Sequence, residues 1–183
     1  MNASNTKARA TRSAILKIDH APTEIVLTRL CGDVAKVQYN LRLNGDVMDT
    51  DLLTQHDTSL RETLTSTLGG DLTDNAWAQA TMGVKQGGLG FREARTVALP
   101  AFIASRIASR PHVIEMAQHM EPFQHGATDS IRQAYDRRTD KALQTLVESL
   151  DTATAQVIDP YSRIRLPLFP LKLTLFILFK GQK

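Results

Sequence analysis

The stretch VKQGGLGFREAR, Val84–Arg95, sets three glycines within four residues, with Lys85 ahead of them and Arg92 and Arg95 behind. As a phosphate-cradling loop it would make the chain an α/β nucleotide binder. As a steric joint it would make the chain a set of packed helices. Both common phosphate templates fail. A P-loop requires G-x-x-x-x-G-K-[ST], and no Lys-Ser or Lys-Thr follows these glycines. A dinucleotide loop requires G-x-G-x-x-G after a strand; Gly88 and Gly90 fill the first two places, but Glu93 stands in the third and no strong strand precedes them. The steric reading remains: Gly87, Gly88 and Gly90 supply backbone conformations closed to other residues, so the chain can turn tightly into a helix. Leu89 and Phe91 would then plug into the core.

Working outward, the flanks read as helices. A first helix is predicted from about Pro22 to Leu43, with Val26, Leu30, Val34, Val37 and Leu41 as its apolar stripe and Asn44-Gly45-Asp46 as its stop. A second begins near Asp51, carries Leu53, Leu60, Leu64 and Leu68 at helical spacing, and ends at Gly69-Gly70. Thr73 is placed to cap a short third helix bearing Trp77. A fourth starts near Arg92 and meets Pro100, where a kink or break is expected, and Pro111 would open another short helix. A last long helix from Asp129 has Ile131, Tyr135, Leu143, Leu146, Val147 and Leu150 on its apolar side. Only Ala80–Val84 and the C-terminal run look capable of being extended. The expected fold is mainly α, an irregular multi-helix bundle with at most one or two short strands and a disordered basic N-terminus.

The 183 residues suffice for one ordinary domain, and the 42% apolar content supports a real core. A single cysteine, Cys31, excludes an internal disulfide and any zinc site of paired cysteines, and fits a reducing, intracellular setting, nucleus or cytoplasm. Charge is segregated. Residues 1–17 hold four basic residues and no acid, and residues 162–183 hold five and no acid. The remaining 13 basic residues face all 19 acids, so the middle is net −6 and would repel a phosphate backbone except through a local basic face. We therefore expect a basic flexible segment over 1–19, a helical region over 20–155 and a basic, apolar tail over 156–183. The N-terminal segment could also serve as a mitochondrial transit peptide. The tail run Leu166–Phe179, 14 residues broken by Pro170 and Lys172, falls short of the roughly 20 that a membrane helix needs.

No catalytic constellation emerges. His112, His119 and His125 do not gather into a ligand set, and Asp49 and Asp51 suit a helix start better than a metal. Cys31 reads as a small buried hydrophobe, and Trp77 as a packing anchor. No metal, cofactor or small-molecule substrate is expected.

The run from Trp77 through Met82-Gly83 and Gly87-Gly88-Leu89-Gly90 to Phe91-Arg92 resembles a pattern in reverse transcriptases of non-LTR retrotransposons: a tryptophan, a Leu-Pro-like pair, then Gly-Gly-Leu-Gly, an apolar and often a basic residue. Pro100-Ala-Phe-Ile-Ala-Ser looks like the helix that follows it there, and Leu30-Cys-Gly with Lys36-Val-Gln-Tyr39 is similar to the segment before it. The likeness spans about His20–Ser109 and implies the thumb and connection region that follows the catalytic palm. Two departures stand out: Met82-Gly83 replaces Leu-Pro, and the chain contains no Tyr/Phe-x-Asp-Asp, the pair that would hold magnesium for nucleotidyl transfer. The family's Cys/His knuckle is missing as well.

The resemblance implies a fragment inactive alone, with RNA or DNA template–primer as a partner and palm and fingers supplied elsewhere. By position, Lys85, Arg92 and Arg95 would reach phosphates, while Trp77, Gly87, Gly88, Leu89 and Gly90 form the structural motif. Two other readings stand beside it: a helical protein–protein interaction module, and a membrane-surface protein using its C-terminal tail. A thumb without its palm would also self-associate through exposed apolar surface.

Overall fold

The computed structural model describes residues 1–157 apart from 121 and 123, with the side chains of 151–157 left aside. Seven α-helices follow in order: α1 (Asn2–Ile15), α2 (Ala21–Leu27), α3 (Gln38–Asn44), α4 (Thr50–Leu68), α5 (Asp74–Thr81), α6 (Ala94–Met120) and α7 (Ala127–Val157). No strand occurs among the described residues, so the bundle is mainly α as expected. The described residues divide into two compact units, Met1–Ala98 and a second that begins at Leu99.

Helix α4 is the spine of the first unit and packs against both α1 and α2. Its ends are set locally. Asp49 accepts the Asp51 amide at 2.8 Å, and Gly69 closes the other end with φ 68°, a left-handed conformation that favours glycine. Of the MDTD acids, Asp49 is thus the cap and Asp51 lies in the first turn. Leu60 and Leu64 meet Trp77, Ala80 and Phe91 in one core cluster, with Ile25, Leu72 and Leu89 against its edge. Thr73 caps α5 through the Ala76 amide.

Three expectations in this unit need correction. Residues 2–15 are a helix, not a disordered arm: α1 buries Ala8, Arg12 and Ile15, a spacing of four and three that makes one face. Asn5 Nδ2 donates to the Leu52 carbonyl at 3.0 Å, and Asn40 Nδ2 to Ser4 Oγ at 2.8 Å. The face is hidden in the sequence because only one of its three residues is a large hydrophobe. Next, the helix expected over 22–43 is broken. After α2 come a π-helical turn at Thr28–Gly32 and a 3₁₀ turn at Val34–Lys36, because Asp33 goes extended and its carboxylate takes the Val34 amide.

The break rotates the apolar stripe. Val34, Val37 and Leu41 are buried, but Val26 and Leu30 are 45% and 59% exposed, and Cys31 is exposed rather than buried. Buried instead are Glu24, Thr28 and Gly32, at a spacing of four, the first two of them polar. Glu24 is matched there by the Thr67 hydroxyl at 2.9 Å. Third, Ala80–Val84 is no strand; Ala80 and Thr81 end α5, and only Met82 and Gly83 are extended before a 3₁₀ turn at Val84–Gln86.

In the second unit α6 and α7 run antiparallel, since Arg110 meets Asp136, Arg106 meets Tyr135 and Thr139, and Phe102 and Ile103 meet Ala142. Arg106 lies 3.6 Å from the Tyr135 ring centroid and donates to the Tyr135 carbonyl at 2.7 Å. Pro100 and Pro111 both sit inside α6, which continues through them. A proline removes one donor, but Phe102 and Ile103 just beyond Pro100 are locked in this unit's core, which holds the helical path. On α7, Val147 and Leu150 are more than a third exposed, so its apolar side is narrower than predicted. No helix among the described residues is long and apolar enough to cross a membrane; the C-terminal run and its suggested membrane role lie outside them.

Candidate functional site

The glycine stretch is a closed joint. Gly87 and Gly90 have φ of 83° and 76°, where L side chains are strained. Gly88 is needed for a different reason: a Cβ there would collide with the Met82 carbonyl oxygen and lie 2.5 Å from that of Gln79. The amides are spent inside the chain. Gln86 and Gly88 donate to the Gly83 carbonyl, Gly87 to Val84, Leu89 and Phe91 to Ala80, and Gly90 to Met82, at 2.8 to 3.3 Å. An anion nest requires such amides to converge on open space. Here they converge on carbonyls, so the turn holds no phosphate.

What it seats is the indole. Trp77 is 9% exposed in the cluster with Phe91, and its Nε1 donates to Glu93 Oε1 at 2.8 Å, while Glu93 Oε2 takes the Thr96 hydroxyl at 3.1 Å. Glu93 thereby joins the tryptophan to the first turn of α6. Replacing Trp77 by Phe keeps an aromatic ring and removes that bond. We expect it to cost about 1 to 2 kcal/mol in urea unfolding.

Beyond the turn, the amides are held by two carboxylates from elsewhere. Asp57, on α4, accepts Ala94 N–H at 2.7 Å with Oδ1 and Arg95 N–H at 3.1 Å with Oδ2, capping α6 from 37 residues away. Asp33 Oδ2 accepts Arg92 N–H at 3.3 Å. Around them lies a buried polar cluster. His56 Nδ1 stands 3.3 Å from Asp57 Oδ1, and its Nε2 finds no partner among the described residues. Arg12, 2% exposed, donates to the Gly32 carbonyl at 2.7 Å and to Ser59 Oγ at 3.0 Å. Burial, then the nearby Arg9 charge, holds the Arg12 pKa down to about 10, so it remains a cation at neutral pH.

Ser59 bonds Arg12 and Arg9, not His56, so no nucleophile–base pair forms. No cluster of three metal-ligating side chains occurs among the described residues. His112 approaches Glu115 at 3.9 Å and His119 bonds the Glu115 carbonyl, both at the surface.

Of the sequence-predicted residues, Trp77 and Leu89 come together against Phe91, with Gly87, Gly88 and Gly90 shaping the turn beside them. Lys85, Arg92 and Arg95 are exposed, Lys85 in the 3₁₀ turn and the arginines on the exit segment and first turn of α6. Arg12, Asp33, His56, Asp57 and Glu93 do not stand out in the sequence as a set. One signal is there: His56 and Asp57 fall on the stripe of Leu53, Leu60 and Leu64, and polar residues in an apolar stripe demand buried partners.

Comparison with protein-family models, with curated proteins and with solved structures finds no match.

Proposed function

We propose that this chain is a non-catalytic helical module resembling the thumb and connection region of a non-LTR retrotransposon reverse transcriptase. It would hold the backbone of an RNA or DNA template–primer duplex, inside the cell, in nucleus or cytoplasm, beside palm and fingers supplied elsewhere. The observation that supports this reading is the fate of the glycine amides. Because they are spent on carbonyls, and the Arg92, Ala94 and Arg95 amides that follow on Asp33 and Asp57, any phosphate contact at this turn falls to the exposed side chains of Lys85, Arg92 and Arg95. Contacts of that kind register shape and charge and carry no base readout. The want of a Tyr/Phe-x-Asp-Asp sequence gives the module no polymerase chemistry of its own.

Duplex binding by the full chain should weaken steeply between low and moderate salt. Changing Lys85, Arg92 and Arg95 together to Ala should lower the slope of log K against log salt by about one for each phosphate no longer neutralised. Binding that ignores both salt and the triple substitution would remove these residues and favour the helical interaction module instead. The exposed Leu30 and Val84, 59% and 60%, are what that second reading has in its support.

A further inference from the structure

Asp33 is 0% exposed, and the hydrogen bonds its carboxylate accepts come from the backbone. Its two oxygens go to two backbone amides: Oδ1 to its neighbour Val34, and Oδ2 to Arg92, 59 residues away, where the chain leaves the glycine turn. The charged groups around it are Arg12 from α1, His56 and Asp57 from α4, and Arg92 itself. We propose that Asp33 is a pH-responsive pin: ionised, it holds the Arg92 amide and the basic edge that follows the turn; protonated, it releases that amide while keeping Val34.

The proton goes to Oδ2, whose bond at 3.3 Å is the looser of the two, and it converts that oxygen from an acceptor into a donor facing another donor. Burial dominates the carboxyl's balance and pushes its pKa up to about 6, against the lowering effects of the Val34 amide, Arg92 and His56. The linkage has a definite sign. A raised folded pKa means the stability that Asp33 contributes is complete below the usual 3.8 and is lost as pH rises through about 6. Mild acid therefore relieves the buried charge while it frees the local edge.

The pin's effect on duplex binding rests on the function proposed above; the pin itself does not. In a 15N-labelled full chain followed from pH 4 to pH 8, the Arg92 and Val34 amide protons should titrate together with a midpoint at about 6. Asp33→Asn should abolish both titrations. If that variant fails to fold, the unsubstituted chain alone decides the matter. A midpoint in the ordinary carboxylate range, or an Arg92 amide that does not titrate, overturns the proposal. Where the pin holds, duplex affinity should fall as the pH drops through the same midpoint in the unsubstituted chain and not in Asp33→Asn. Absence of duplex binding at every pH would sink the duplex reading, and the pin would then stand or fall on the amide titration.

Discussion

Gly88→Ala is expected to unfold the first unit at a much lower urea concentration than the unsubstituted chain, a loss of about 3 kcal/mol or more. The added methyl lands on the carbonyl oxygens of Met82 and Gln79. Neither can withdraw without breaking a bond. The Met82 oxygen holds the Gly90 amide at 2.9 Å, and the Gln79 oxygen holds the Met82 amide at 3.1 Å. The neighbours provide the scale. Gly87→Ala meets nothing within 4 Å and suffers only the strain of φ 83°, about 1 kcal/mol, while Gly70→Ala, in open space at ordinary φ, should be close to neutral. Tryptophan fluorescence would report the damage directly, since Trp77 packs against Phe91 at the exit of the turn. Equal midpoints for Gly88→Ala and Gly87→Ala would show that the turn yields, and the closed-joint description would fall.

The second large effect is expected at Asp57. Changing it to Ala orphans the Ala94 and Arg95 amides and deprives His56 Nδ1 of its neighbour, all in or beside the buried interior. A buried donor left unsatisfied costs about 1 to 3 kcal/mol, so the loss should reach about 3 to 5 kcal/mol. Asp57→Asn keeps one acceptor oxygen and should cost about half as much. Amide exchange separates this from general destabilisation: protection at Ala94 and Arg95 should vanish first in Asp57→Ala, ahead of protection within α4. Uniform loss along both helices would mean that Asp57 is not the cap of α6.

Both variants act on the segment between α5 and α6, and they differ in how far each is legible. Gly88 is visible in the sequence because its requirement is local: the oxygens it would strike belong to residues six and nine positions earlier. Asp57 is not visible in that role, because nothing near residue 94 announces a cap 37 residues away. The same division runs through the fold. The ends of α4 and the start of α5 follow from Asp49, Gly69 and Thr73, each acting within three residues of its own position. The break at Gly32-Asp33 is readable in residue type, yet an apolar periodicity from Val26 to Leu41 argues for one helix.

The sequence by itself determined that the chain is helical, where α4 and α5 begin and where α4 ends, and that the glycine cluster is a steric joint and not a phosphate loop. These follow from backbone conformations and capping groups whose energies are settled within a turn or two of chain. Tertiary structure alone decided that residues 2–15 fold as α1, that Glu24 and Thr28 point inward while Leu30 points out, and that Asp33 and Asp57 hold the entry to α6. A polar or charged side chain can be buried only where distant partners replace water, and no local pattern records where those partners will stand.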